Sequence, residues 1–192
     1  MTEEITQDIP AAYAGIAEAT ERSGFTMSSD ILTCSLLRTL AASKRGGRLL
    51  ELGTGTGLST SWILDGMDNN STLVSIDNDP AFLEIARQYL GHDKRLELVT
   101  TDGGEWVEKN KGQKFDYIFA DTWHGKYLLL DEVLDMLHIG GLYIIDDMLP
   151  QPNWPDGHAE KATRLLEYLQ TRDDLCLTRQ VWATGIVIAV KK

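Results

Sequence analysis

The chain has 192 residues, of which 43% are hydrophobic, and 18 Lys and Arg against 29 Asp and Glu leave a formal net charge of −11. That length holds one domain with a sizeable core, and so acidic a balance speaks against nucleic acid or an anionic membrane as partner. Two cysteines, Cys34 and Cys176, make no disulfide framework and are expected to be buried thiols in a reducing cytoplasm. The acidic start Met1–Asp8 does not read as a secretory signal, and the apolar run Ile186–Val190 is too short to cross a bilayer, so a cytoplasmic location is expected.

In chain order, residues 9–22 form an alanine-rich helical stretch that ends before Ser23-Gly24. A second helix starts at the capping residues Ser28-Ser29-Asp30, carries Leu32, Leu36 and Leu40 on one face, and stops at Lys44–Gly47. Arg48–Leu52 then reads as a buried strand, followed by a glycine turn and a helix bearing Leu58, Trp62 and Ile63. Thr72–Ile76 is the second strand. Asp79-Pro80 caps a helix whose face is Phe82, Ile85, Ala86, Tyr89 and Leu90. Leu96–Thr100 and Phe115–Ala120 are the third and fourth strands. Tyr127, Leu130, Leu134 and Leu137 mark a helix face, and Leu142–Ile145 is the fifth strand. After a proline-rich loop, Pro150–His158, comes a helix with Ala162, Leu165, Leu166 and Leu169; Leu175–Val181 and Trp182–Val190 close the chain as an antiparallel pair.

Alternating strands and helices imply an α/β fold: a doubly wound, mostly parallel sheet with helices on both faces, seven strands once the closing antiparallel pair is counted. No repeat, low-complexity tract or linker divides the chain, so one domain over 1–192 is expected, with the helices of 1–46 covering the site or sheet and 47–192 as the α/β core. Ligands on such sheets bind beyond the carboxyl ends of the strands. Five strand ends here carry glycine or an acid: Gly53, Asp77, Asp102, Asp121 and Asp146. The turn Glu51-Leu52-Gly53-Thr54-Gly55-Thr56-Gly57 admits close approach of a ligand, and Asp77, 20 positions beyond Gly57, stands where a ribose-binding carboxylate would.

These features resemble the class I S-adenosylmethionine-dependent methyltransferases, closely over residues 48–147. The resemblance implies a Rossmann-like fold and a cofactor site formed by Glu51, Gly53, Thr54, Gly55, Gly57, Asp77, Asn78, Asp102, Gly103 and Asp121. Asp77 would take the ribose hydroxyls and Asp102 the neighbourhood of the adenine. Phe115–Tyr127 and Gly140–Asp147 are similar to the small O-methyltransferases of the catechol and caffeoyl-CoA type. Carried over, Asp121, Asp146 and Asp147 would hold Mg²⁺ or another divalent cation. The family pattern has Asp-Asn where this chain has Asp146-Asp147, and a lysine where it has His124; His124, Lys126 and Asp121 are therefore the candidates for catalysis. Trp154 and His158 are placed to contact an aromatic acceptor, or Trp154 to pack down on the sheet.

The resemblance implies transfer of a methyl group to oxygen of a small molecule, with aromatic acceptors among the candidates, and a homodimer. Two other readings stay open: an NAD(P)-binding oxidoreductase, against which the third glycine of G-x-G-x-x-G would fall on Leu58, and a protein that binds S-adenosylmethionine without catalysis.

Overall fold

Leu49, Leu50 and Leu52 of β1 (Arg48–Leu52) are all fully or almost fully buried, as a strand covered on both faces requires. The computed structural model describes residues 8–152 and 154–192; Met1–Gln7, most of the acidic start, and Asn153 of the proline-rich loop lie outside the described residues. β1 is an inner strand, third from one edge, of a seven-stranded sheet. β2 (Thr72–Asp77) and β3 (Leu96–Thr100) run parallel on one side of it, β4 (Phe115–Ala120) and β5 (Leu137–Ile145) on the other. β7 (Ile186–Lys191) then pairs antiparallel with β5, and β6 (Leu175–Gln180) closes the edge, giving the order β3-β2-β1-β4-β5-β7-β6. The order reverses between β1 and β4, the place where sheets of this kind form their ligand crevice, at the strands' carboxyl ends.

Alternation along the strands sorts the apolar residues into two cores. Leu49, Leu73, Tyr117, Phe119 and Ile144 face α1 (Tyr13–Ser23), α2 (Ile31–Ala42), α3 (Leu58–Gly66) and α4 (Pro80–Leu90). Leu50, Leu52, Ile118, Ala120, Tyr143 and Ile145 face α5 (Gly103–Asn110), α6 (Leu130–Asp135) and α7 (His158–Gln170). No helix among the described residues is long and apolar enough to cross a membrane.

Four details depart from the sequence reading. The helix expected through Tyr127 and Leu137 is only α6; Tyr127 lies in the turn before it, and Leu137 opens β5, pairing with Phe115. A strand-to-strand hydrogen-bond ladder outweighs the helical spacing there. α5, opened by two glycines, has no counterpart in the sequence reading, and Asp102 caps it by accepting from the Glu105 N–H at 3.0 Å. The buried stripe of α2 is Thr33, Cys34, Leu37 and Ala41, one step round from Leu32, Leu36 and Leu40. Cys176 is exposed, because β6 is an edge strand, whereas Cys34 is buried as expected.

Candidate active site

The glycine turn is built from below. Glu51 is fully buried, and its carboxylate accepts from Ser59 Oγ at 2.7 Å, Thr60 Oγ1 at 2.6 Å and Ser75 Oγ at 2.5 Å. Burial pushes this carboxyl up to about 7, against the pull of the three hydroxyls. Glu51 thus ties α3 and β2 under the loop; it is sealed away from the face where a ligand would meet the glycines. Thr54 turns its hydroxyl down onto Ser75 (2.6 Å), and Thr56 turns its own sideways onto Thr20 of α1 (2.7 Å). The threonines anchor the loop and leave the glycines uppermost.

Two of those glycines have no alternative. Gly53 has φ +108°, and a Cβ there would lie 2.9 Å from the carbonyl oxygen of Asp121. The loop therefore rests directly on the end of β4. Gly57 has φ +96°, and a Cβ would meet that of Ala86 at 2.9 Å. Gly55 offers its N–H to Asp77 Oδ2 at 2.7 Å, while Asp77 Oδ1 accepts from the Asp79 N–H at 2.9 Å. Loop and acid are thus on the same side of the molecule. Asn78 beside them is exposed.

Asp102 and Gly103 stand at the start of α5, and the imidazole of His124 lies over Gly103 and Gly104: a Cβ on Gly104 would be 2.8 Å from Nε2. Sequence reasoning grouped His124 with the acids of the catalytic cluster; the structure puts it at the end of β3 instead. Lys126 takes that position. Its ammonium lies 3.4 Å from Asp121 Oδ1 and 3.2 Å from Asp146 Oδ1, with the side chain only 6% exposed. Burial alone would pull this lysine down, but Asp146, Asp121 and Asp147 hold it above its ordinary value. Burial raises all three carboxyls, and Asp146, pressed further by Asp121, reaches about 7. One oxygen from each of Asp121, Asp146 and Asp147 falls within 4.8 Å of the others, so the three acids do converge.

Sequence reasoning missed the segment between α1 and α2. Phe25 packs on the loop, its ring 3.0 Å from where a Gly55 Cβ would be, and stacks on Phe82 at 4.6 Å. Ser29 donates to Asp121 Oδ2 at 3.0 Å. Neither residue carries a motif; the only signal was that two helices precede the glycine strand. Beyond Lys126 lies a groove of about 380 Å³ walled by Trp123, Tyr127, Leu165 and Tyr168, with Lys161 and Arg164 at its edge. The Tyr127 hydroxyl bonds His158 Nε2 at 3.1 Å, Trp154 packs on both that ring and the core, and His158 Nδ1 has no partner among the described residues.

The sequence profile of the methyltransferase domain matches residues 50–148, from β1 to just past Asp147. The chain belongs to the methyltransferase-domain family. A candidate O-methyltransferase of Mycobacterium leprae (strain Br4923) is 30% identical to it over 92 residues, 46% of this chain and 41% of that relative, so the match spans about two fifths of the curated relatives' length. The fold of this chain is similar to that of the O-methyltransferase from Bacillus cereus solved with SAH (TM-score 0.82, 18% identity, 99% of this chain and 94% of that one). It is equally similar to TomG from Streptomyces achromogenes, solved with SAM (TM-score 0.81, 21% identity, 99% and 92%).

Proposed function

We propose that this protein transfers a methyl group from S-adenosylmethionine to an oxygen of a small, aromatic acceptor. The observation that carries the reading is the hydrogen bond joining Gly55 to Asp77, which sets a glycine cradle and a ribose-type acid side by side. Each Asp77 oxygen accepts one backbone N–H and keeps a lone pair for a ribose hydroxyl. The glycine loop beside Asp77 would take the methionine portion. Asp102, Gly103 and His124 line the place for the adenine. Relatives named for O-methylation and solved neighbours holding SAH or SAM support the same reading.

The cofactor supplies an electrophilic methyl on a sulfonium; the protein's task is to hold an acceptor oxygen in line with it. Trp123, Tyr127 and Tyr168 offer ring faces to an aromatic acceptor in the groove that Lys126 also lines. Lys126, which lines that groove and is paired with Asp121 and Asp146, would meet the acceptor's hydroxyl and orient it. We read residues 1–192 as one cytoplasmic domain acting on a small molecule, with neither nucleic acid nor membrane as partner, and as the homodimer its family implies; sedimentation decides the last point.

Calorimetry with S-adenosylhomocysteine and, separately, NAD⁺ tests the proposal. Binding of the former alone is expected. Binding of NAD⁺ alone would replace it with the oxidoreductase reading, and absence of both would end it. Methyl transfer to a panel of phenols and catechols then separates an enzyme from a binding protein.

A further inference from the structure

A divalent cation on Asp121, Asp146 and Asp147 is what the resemblance to the catechol and caffeoyl-CoA enzymes leads one to look for, and these residues do not fit it as they stand. A hard cation needs carboxylate oxygens at about 2.0–2.6 Å. One oxygen of Asp121 and one of Asp146 already face the Lys126 ammonium, at 3.4 and 3.2 Å. The other oxygen of Asp121 is taken by Ser29 Oγ at 3.0 Å. An ion that used Asp121 would have to displace one or the other.

The lysine's place is built. Leu128 donates to the Trp123 carbonyl at 2.9 Å and Gly125 to the Leu128 carbonyl at 2.7 Å, closing a tight turn around Lys126. Gly125 has φ +86°, and a Cβ there would meet Ala120 Cβ and Leu52 Cδ1 at 3.0 Å, so the turn is seated on the ends of β4 and β1. The Tyr143 hydroxyl holds the Gly125 carbonyl from below. Lysine is almost never buried to this depth unless it is paired, and here the two acids beside its ammonium are expected metal ligands. Asp147, the third acid, is partly open to solvent.

We propose that Lys126 is a resident cation: its ammonium, lodged between Asp121 and Asp146, takes the place of a divalent ion, and the protein binds neither Mg²⁺ nor Mn²⁺ at this site. The proposal rests on the O-methyltransferase reading for the comparison it draws, and its test does not. Full-length protein is titrated with Mn²⁺, and the electron paramagnetic resonance signal of free Mn²⁺ is followed in wild type and Lys126→Met, which keeps the aliphatic stem. Wild type is expected to take up no ion at millimolar Mn²⁺, and Lys126→Met to take up one per chain, lost again when Asp146→Asn is added. Uptake by wild type that Asp146→Asn abolishes overturns the proposal, as does a folded Lys126→Met that takes up nothing. Should that variant not fold, by circular dichroism, Lys126→Gln replaces it, and the wild-type titration decides by itself. S-adenosylhomocysteine calorimetry on the same wild-type sample reports separately on the methyltransferase reading.

Discussion

The amide of Gly55 donates to Asp77 Oδ2 across 2.7 Å, so the turn after β1 and the acid at the end of β2 form one unit. Asp77→Ala removes a ribose acceptor and frees the loop together. Losing a charged hydrogen bond costs about 1.5–3 kcal/mol, so S-adenosylhomocysteine should bind about 10- to 150-fold more weakly by calorimetry. Asp77→Asn keeps an acceptor for Gly55 and should fall between the two. Unchanged affinity in Asp77→Ala would remove the acid from the site.

Glu51 gives stability a pH signature. Its folded carboxyl is raised to about 7, against an ordinary value of 4.5. Between those values the folded state keeps a proton that the unfolded chain has released. The stabilisation is therefore complete below about pH 4.5, lost progressively as pH rises to about 7, and level above that. Urea titrations should show wild-type stability falling relative to Glu51→Gln across this window, by at most about 1.4 kcal/mol per pH unit. Parallel curves from pH 5 to 8 would mean the carboxyl is ionised throughout.

Gly57→Ala forces a left-handed backbone on alanine and drives its Cβ to 2.9 Å from that of Ala86. A loss of about 2 kcal/mol, several degrees in melting temperature, is expected. Gly112→Ala, at an exposed site with nothing within 4 Å, serves as the control and should stay within about 0.5 kcal/mol.

His124 was a reasonable base on paper, since it aligns with a lysine that serves that role in related enzymes. With its ring over Gly103 and Gly104, His124→Ala should raise the cofactor KM about five- to tenfold, roughly 1–1.4 kcal/mol, and leave kcat within about threefold. A large fall in kcat with KM intact would restore it as the base.

What could be read from the residues was what turn chemistry and periodicity encode. Gly53, Gly57, Asp77 and Asp79-Pro80 each impose a local geometry, and the apolar runs of β1, β2 and β4 are unmistakable once the turns are placed. Asp121 and Asp146 followed from their positions at strand ends, and their grouping with Asp147 from the family resemblance. Lys126 could be named but not located, because a lysine reads as a surface residue until a turn folds it inward. Phe25 carries no local signal and Ser29 reads only as a helix cap; both matter because the α1–α2 connection brings them to the glycine loop and Asp121. α6 and the start of β5 were misjudged where a run of leucines satisfies both periods and the partner strand decides.

Gly53 and Asp121 touch although α3, β2, α4, β3, α5 and β4 all lie between them in the chain. As the ribosome delivers the polypeptide, the crevice therefore has only one wall until β4 emerges and docks beside β1, a distant pairing that closes slowly. Until then no small molecule can steady the nascent protein. A destabilising change in β4 should thus lower the yield of folded protein made in cells more than an equal loss in α7, even when the purified variants melt at the same temperature.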